Sequence, residues 1–288
     1  MMASRWQVVL HKRYGITATV MAALAAGLFG YAITGPPDER RDADISERQL
    51  GPAPDTGIAL SLLENGSDDA RRVLFVHGTP GRADAWSAFI ASPPDGVHAI
   101  AVDRPGFGKT RPRRAEPSLA MQARALAPLL LAPDGQRPIL VGHSLGGPIV
   151  AAAAALFPDK IGGLIIVAGS LDPALEEIYY AQLVADLFPF APLLPRAVRN
   201  TNREILALEA ELDWLKPRLG EITQPVTIIH GTDDTLVPYE NVSFMESAFS
   251  SAPVTVVRLD GNNHFLPWNS EDVIRKAISE MLAKLAAG

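Results

Sequence analysis

Ser144 is the residue of this 288-residue chain whose surroundings point most directly to chemistry. It stands at the centre of GHSLGG (142–147), between the apolar run PILV and an alanine-rich stretch. A G-x-S-x-G pattern between a strand and a helix predicts a sharp turn that lifts the serine hydroxyl above the sheet edge. The Leu145 N–H, at the positive end of the following helix, would then face a developing oxyanion. An ordinary turn serine is the alternative interpretation.

A serine hydroxyl needs a general base before it becomes a nucleophile near neutral pH. Two histidines follow Ser144, and they are His230 and His264. His264 lies in DGNNHFLPW, after one apolar run and before the last helical stretch. This position predicts the same carboxyl edge of the sheet as Ser144, where open α/β sheets hold their ligands. His230 directly follows the apolar run VTII, so we expect it to pack inside and to be the weaker candidate.

The base in turn needs a carboxylate that holds its tautomer and stabilises the imidazolium. The segment HGTDDTLVP (230–238) follows the VTII run and supplies two candidates, Asp233 and Asp234. Asp172, after the preceding strand, is a third candidate. The residue types alone leave these three open.

A second oxyanion donor is expected from the loop HGTPG (77–81), which follows the apolar run VLFV. The Thr79 N–H is the candidate, because the glycines in this loop allow the chain to turn an N–H inward. A plain glycine–proline turn is the alternative.

Strand-like and helical stretches alternate from residue 57 to the end of the chain, which predicts an α/β fold with a doubly wound, mostly parallel sheet. The strand candidates are rich in Val and Ile and lack alternation, as expected of strands buried on both faces. They are IALSLL at 58–63, VLFV at 73–76, HAIAV at 98–102, PILV at 138–141, LIIV at 164–167, VTII at 226–229 and VTVV at 254–257. Helices are expected near 83–91, 118–131, 145–156, 239–250 and 271–286. The segment from about 169 to 224 breaks this alternation with proline-separated helical pieces, which predicts a helical cap inserted in the 57–288 domain.

The N-terminal residues 1–35 contain an uncharged apolar run from Ile16 to Gly35. About 20 such residues span a bilayer as a helix, so the sequence predicts a transmembrane signal anchor. Basic residues precede the run, which predicts export of everything downstream to the periplasmic or extracellular side. A cleaved signal peptide, giving a secreted protein, is the alternative, and an apolar helix packed on the domain is a third interpretation. Residues 36–56, rich in proline and charge, are predicted to be a linker.

Composition excludes several classes of function. A net charge of −6 argues against a nucleic-acid partner, which needs a basic face. The chain has no cysteine, which removes thiolate metal sites, iron–sulfur clusters and a cysteine nucleophile. Gly108-Lys109-Thr110 resembles the end of a phosphate-binding loop, but Asp103 stands where that motif requires glycine. We therefore expect no cofactor and no metal.

Five segments in this order resemble the α/β-hydrolase superfamily over about residues 57–288. They are VLFVHGTPG, AVDRPGFGKT, ILVGHSLGG, HGTDDTLVP and GNNHF. The resemblance implies Ser144, Asp234 and His264 as catalytic residues, with Asp234 preferred because its spacing before Pro238 fits the family's acid. It is strongest to serine esterases, lipases and cofactor-free haloperoxidases. Haloalkane dehalogenases and epoxide hydrolases of this family carry an aspartate at the position of the serine. Because Ser144 stands there in this chain, the resemblance disfavours those activities.

The expected function is a serine hydrolase that cleaves carboxylic esters of a small-molecule acyl substrate through an acyl-enzyme intermediate. Thioester, amide or carbon–carbon bond cleavage by the same triad is the first alternative. A non-catalytic hydrolase fold that binds partners at the membrane is the second. Large apolar residues in the insertion, such as Tyr180, Phe190 and Trp214, favour lipid-like acyl chains if they line a pocket. They favour nothing if they only attach the insertion to the sheet.

Overall fold

The computed structural model describes residues 45–131, 135–178, 180–187 and 189–287. Eight strands form one sheet in the order β1-β2-β4-β3-β5-β6-β7-β8. The strands from β3 to β8 pair in parallel, whereas β1 and β2 pair antiparallel at one edge. The strands are β1 Ser46–Gln49, β2 Ser61–Asn65, β3 Arg71–Val76, β4 Val97–Asp103, β5 Ile139–His143, β6 Gly163–Val167, β7 Val226–Gly231 and β8 Val254–Leu259.

The central strands are buried along their whole length, as their non-alternating apolar sequences predict. Every residue of β4, β5, β6 and β7 is buried. A sheet that is covered on both faces needs helices on both sides. The α/β class and the mostly parallel sheet are thus as the sequence predicts.

Helices pack on both faces of the sheet. Two separate apolar cores result, one including Leu119, Ile149 and Met245, and the other including Phe89 and Ile278. The α-helices are α1 Ser87–Ala91, α2 Leu119–Ala125, α3 Gly146–Leu156, α4 Tyr180–Ala185, α5 Phe190–Leu193, α6 Arg196–Leu219, α7 Asn241–Ala248, α8 Leu266–Asn269 and α9 Glu271–Ala287. The predicted helix at 118–131 ends early, because a 3₁₀ turn containing Pro128 follows α2.

The insertion between β6 and β7 is helical and consists of α4, α5 and the long helix α6. Residues Leu208, Leu212, Leu215 and Leu219 of α6 recur every three or four positions and are buried, so this helix packs on the domain by one apolar stripe. Pro217 lies inside α6 rather than ending it.

Residues 46–49 form β1, inside the segment for which the sequence predicts a linker. The four residues are polar and exposed, so no apolar pattern reveals the strand. Backbone pairing with β2 holds it, together with an ion pair in which Arg48 Nε lies 2.6 Å from Glu64 Oε1. The strand therefore depends on its neighbour and not on its own composition.

The predicted membrane segment within residues 1–35 lies outside the described residues. Across the part of the chain that the structure describes, no helix combines the length and the apolar character needed to cross a bilayer.

Candidate active site

Ser144 occupies a strained turn between β5 and α3. Its φ is +54°, in the left-handed region that non-glycine residues rarely adopt. The Ser144 N–H donates to the Val167 carbonyl at 2.9 Å, and the Gly147 N–H donates to the Ser144 carbonyl at 2.8 Å. A Cβ on Gly142 would lie 2.3 Å from the Gly146 carbonyl oxygen, so the tightness of this turn requires glycine there. The structure thus holds Ser144, a half-buried residue, in the tight strand-to-helix turn that the G-x-S-x-G pattern predicts.

His264 and Asp234 form a direct side-chain contact at the same end of the sheet. His264 Nδ1 lies 2.7 Å from Asp234 Oδ2, and both side chains are almost completely buried. A carboxylate only accepts hydrogen bonds, so Nδ1 carries the proton and donates it. In the neutral tautomer with its proton on Nδ1, Nε2 can accept a proton, which is the tautomer that a general base needs.

Asp234 is held as an anion by several donors. Its Oδ1 accepts the N–H of Leu236 at 2.9 Å and the N–H of Val237 at 2.8 Å. Burial by itself raises the pKa of this carboxyl, but hydrogen bonds from His230 and His264 and the backbone N–H of Val237 outweigh it and hold the pKa well below the usual value. Asp234 therefore stays ionised opposite His264.

His143 connects the serine turn to the histidine loop. Its Nε2 donates to the His264 carbonyl oxygen at 3.0 Å, and the two imidazole rings lie 4.8 Å apart between centroids. Burial, followed by the nearby His264, lowers the pKa of His143 to about 3, so its ring stays neutral. Because His143 directly precedes Ser144, these contacts bring the loop of His264 beside the serine.

The loop after β3 packs directly against Ser144. A Cβ on Gly78 would lie 2.8 Å from Ser144 Cβ and 3.3 Å from Ser144 Oγ, so only glycine leaves space for the serine side chain. Thr79 follows at once, and Leu145 stands at the N-terminal end of α3. The structure therefore brings both predicted oxyanion donors into the immediate neighbourhood of Ser144.

Known proteins share this fold. Residues 71–218 match the family model for the alpha/beta hydrolase fold. The chain belongs to the alpha/beta-hydrolase family. A 2-hydroxy-6-oxononadienedioate/2-hydroxy-6-oxononatrienedioate hydrolase of Paraburkholderia xenovorans is 23% identical over 257 residues, which are 74% of this chain and 87% of that protein. An esterase of Mycobacterium tuberculosis is 37% identical over 159 residues, which are 54% of this chain and 49% of that protein.

Among solved structures, a bacterial membrane phospholipase A shares the fold with a TM-score of 0.66 and 21% identity, over 96% of this chain and all of that one. This protein is therefore a hydrolase of the alpha/beta fold, and the relatives include esterases, lipases and carbon–carbon bond hydrolases.

The hydrolase contains a buried ion pair beside the site that the sequence patterns do not predict. Arg104 Nη1 lies 2.7 Å from Glu204 Oε1, and Nη2 lies 3.0 Å from the Gly78 carbonyl oxygen. Glu204 Oε2 accepts a hydrogen bond from Thr79 Oγ1 at 2.7 Å, and Gln122 Oε1 accepts one from Arg104 at 2.9 Å. Glu204 lies on α6, so the insertion is bonded to the loop that carries the predicted oxyanion donor.

The sequence contains a signal for Glu204, although not for the residue that pairs with it. Glu204 precedes Leu208 by four residues, and Leu208 is part of the apolar stripe of α6, so a charged residue continues an otherwise buried helix face. A carboxylate at such a position requires a cationic partner. Arg104, buried in the loop after β4, is that partner.

His77 also belongs to this region, and its protonation is determined by its neighbours. The backbone N–H of Arg104 donates to His77 Nε2 at 3.1 Å, so Nε2 is unprotonated. His77 Nδ1 lies 2.6 Å from the Gly78 carbonyl oxygen and therefore carries the proton. Burial, followed by the charge of Arg104, lowers the pKa of His77 well below its usual value. A neutral imidazole therefore donates to the same Gly78 carbonyl that Arg104 contacts.

The alternative site residues occupy different environments. His230 is completely buried in β7, where its Nε2 donates to the Val237 carbonyl at 3.0 Å and lies 3.5 Å from Asp234 Oδ2. Asp233 is exposed and accepts a hydrogen bond from Thr232, whereas Asp172 Oδ1 accepts the Ala174 N–H at the start of a 3₁₀ turn. Of the three candidate acids, Asp234 is the one whose carboxylate contacts His264.

Within the described ranges, no group of three His, Asp or Glu side chains has an arrangement that could hold a metal ion.

Proposed function

We propose that this alpha/beta hydrolase is a serine esterase in which Ser144, His264 and Asp234 form the catalytic triad. The hydrogen bond between His264 Nδ1 and Asp234 Oδ2, beside the strained turn of Ser144, is the observation that carries the proposal. This contact supports an ionised acid and an oriented base, and the strained turn supports Ser144 as the nucleophile that acyl transfer requires.

The reaction proceeds in two halves. His264 Nε2 takes the proton of Ser144 Oγ while that oxygen attacks the ester carbonyl carbon. The carbonyl oxygen becomes an oxyanion, which the N–H groups of Thr79 and Leu145 stabilise. The C–O bond to the alcohol then breaks, and the alkoxide leaves with the proton from His264. Water, deprotonated by the same imidazole, attacks the acyl-enzyme and releases the acid and the free serine.

Two features favour esters over the carbon–carbon bonds that some relatives cleave. The relative from M. tuberculosis is an esterase, and its identity to this chain over the shared residues is higher than that of the carbon–carbon hydrolase relative. The name of that second relative's substrate ends in dioate, so it carries two carboxylates, which need cations in the site. Arg104, the buried cation that contacts the Gly78 carbonyl, is already neutralised by Glu204. A neutral acyl ester therefore fits this site better than a dicarboxylate.

The exposed apolar side chains of the insertion bear on the length of the acyl chain. Tyr180, Phe190 and Leu193 are exposed rather than buried against the sheet, so they do not serve only to attach the insertion. An apolar surface on the insertion suits substrates that are themselves apolar, so we propose medium or long acyl chains. A series of p-nitrophenyl esters tests this point, and fastest turnover of the acetate would remove it.

The proposal includes a location. The uncharged apolar segment from Ile16 to Gly35 supports an anchored enzyme whose domain is exported, or a secreted one if the segment is cleaved. Mass determination of the mature N-terminus distinguishes these two forms.

Replacement of the nucleophile tests the activity. Ser144→Ala is expected to lower p-nitrophenyl ester turnover by several orders of magnitude and to abolish labelling by a fluorophosphonate probe. Ser247→Ala, at an exposed serine of α7, is the matched control and should leave both unchanged. If the wild-type protein binds no probe and turns over none of a mixed panel of acyl substrates, the hydrolase fold acts as a binding module instead.

A further inference from the structure

The insertion presents an apolar surface to solvent. Five large side chains of α4, α5 and the turn between them are exposed, and we call them the cap patch. They are Tyr180 (80% exposed), Leu183 (49%), Leu187 (59%), Phe190 (50%) and Leu193 (79%). The Phe190 N–H donates to the Leu187 carbonyl at 2.8 Å, so the two short helices are joined by a tight turn. Soluble proteins rarely leave contiguous apolar patches uncovered, and such patches mark interaction surfaces.

Arginine side chains border this patch. Arg199 Nη1 lies 3.3 Å from the Ala191 carbonyl and 3.5 Å from the Leu194 carbonyl, which places its guanidinium at the end of α5. Arg196 donates to the carbonyls of Gly106 at 3.1 Å and Gly108 at 3.0 Å. The first turn of α6 therefore contacts the end of α5 through Arg199 and the loop after β4 through Arg196.

The loop after β4 adds further positive charge. Asn200 Nδ2, on the first turns of α6, donates to the Gly106 carbonyl at 2.8 Å and to the Arg113 carbonyl at 3.0 Å, so the arginine-bearing loop lies against the part of α6 that carries Arg196 and Arg199. Burial, followed by the charges of Arg113 and Arg111, lowers the pKa of Arg196, which agrees with this proximity. Arg114 is exposed next to them. We call Arg111, Arg113, Arg114, Arg196 and Arg199 the arginine cluster. Throughout the described residues, none of the five forms an ion pair with a carboxylate within 4.0 Å.

The combination identifies the class of partner. The whole chain carries a net charge of −6, so five neighbouring arginines without a carboxylate partner among the described residues are a local feature and not the result of a basic composition. Exposed apolar side chains bordered by cations match a membrane interface, where the apolar groups enter the acyl region and the cations meet anionic headgroups. We propose that the cap patch and the arginine cluster together form a docking surface for an anionic lipid bilayer.

The path of the chain is consistent with this surface. Gln49 of β1 donates to the Lys109 carbonyl at 3.4 Å, and Lys109 Nζ lies 2.6 Å from Glu47 Oε2. The strand that enters the domain therefore lies against the loop that also carries part of the arginine cluster. The anchor proposed within residues 1–35 would keep the domain at the bilayer surface, and only this step rests on the proposed location.

The absence of cysteine allows a direct test. A Leu193→Cys variant of the full chain carries one environment-sensitive fluorophore in the cap patch, and Lys284→Cys carries the same label at an exposed position of α9. The control position lies near the amino ends of the strands, because the neighbouring Leu285 lies against Gly162, which directly precedes β6. The insertion, in contrast, follows the carboxyl end of β6. Both variants are reconstituted in vesicles of phosphatidylcholine alone or with phosphatidylglycerol, with and without nitroxide-labelled lipid.

In phosphatidylglycerol vesicles the Leu193→Cys label is expected to shift to the blue and to be quenched by the nitroxide lipid, while the Lys284→Cys label reports water. Removal of two cations by Arg113→Gln with Arg114→Gln should lower the ratio of docked to undocked protein about 25-fold, because each cation near the surface contributes about fivefold. Equal quenching in neutral vesicles would overturn the role of the arginine cluster. A Leu193→Cys label that reports water in both vesicles would overturn docking altogether.

Two further readouts distinguish bilayer docking from self-association and from tethering by the anchor. A blue shift that depends on protein density and not on lipid would assign the cap patch to a second copy of the chain, against the proposal. Vesicle flotation in 1 M salt, which screens the arginine cluster, reports the anchor alone. If the protein floats in 1 M salt while the Leu193→Cys label reports water, the anchor is supported and the docking surface is contradicted. If it floats only at low salt with a blue-shifted label, the docking surface is supported and the anchor is contradicted.

Discussion

Asp234→Asn is the change whose outcome the geometry determines most closely. Oδ1 of Asp234 accepts two backbone N–H groups, at 2.9 and 2.8 Å. In the asparagine variant the carbonyl oxygen has to occupy this position, because an NH₂ group there would face two donors. The amide nitrogen then takes the place of Oδ2, 2.7 Å from His264 Nδ1, and donates to it. The imidazole must carry its proton on Nε2, where it cannot accept the proton of Ser144.

The expected loss follows from this tautomer. A triad with the wrong tautomer loses about 10⁴-fold in kcat, which is about 5 kcal/mol of transition-state stabilisation. KM should change little, because the variant alters no group that we expect to contact the bound ester. The change is isosteric, and the two backbone hydrogen bonds remain, so the fold should persist.

Steady-state turnover of a p-nitrophenyl ester by purified protein measures the effect, with thermal unfolding as the check on folding. Asp233→Asn is the matched control, since Asp233 is the exposed neighbour and its carboxylate contacts Thr232. It should retain wild-type turnover. Full activity of Asp234→Asn, or a comparable loss in Asp233→Asn, would refute the assignment of the acid.

Three further predictions follow from other contacts. Gly78→Ala should lower kcat by an order of magnitude or more, because its Cβ would lie 2.8 Å from Ser144 Cβ. Gly51→Ala is the control, since its Cβ would meet nothing within 4 Å, and equal kinetics of the two variants would contradict the packing at Gly78. Glu204→Gln leaves the buried Arg104 unpaired and should lower the free energy of unfolding by about 3 kcal/mol in urea titrations, while exposed Glu209→Gln should change it by less than about 0.5 kcal/mol. The folded state keeps His143 neutral down to a pKa of about 3, so its contribution to stability is complete above pH 6.5 and is lost as the pH falls toward 3. Urea titrations from pH 7 to 4 measure how the free energy of unfolding changes with pH. In His143→Gln this change should be smaller than in the wild type by up to about 1.4 kcal/mol per pH unit, and an unchanged pH dependence would count against this burial effect.

The central strands were predictable because a strand that is buried on both faces has a continuous run of apolar residues in the sequence. The VTII run predicts a strand at 226–229, and β7 spans Val226–Gly231. The polar strand β1 was not predictable, because its pairing with β2 supplies what its four residues lack. Helix ends also depended on context, as the 3₁₀ turn after α2 shows.

The candidate site divides in the same way. Ser144 and His264 were identifiable from their positions after buried strands, since parallel strands bring their carboxyl ends to one edge. The order of residues could not decide between Asp233 and Asp234, because successive side chains in a turn point in different directions and the sequence contains no distance. The resemblance favoured Asp234, and the structure places its carboxylate, rather than that of Asp233, against His264.

By itself, then, the sequence determined the alternation of buried strands and helices and the serine turn, since both arise from neighbouring residues. Tertiary structure alone decided the pairing of Arg104 with Glu204 and the clustering of arginines beside the cap patch, because these join residues up to 100 positions apart. Charges so distant in the chain meet only when the sheet and the insertion pack together, and packing depends on the whole fold.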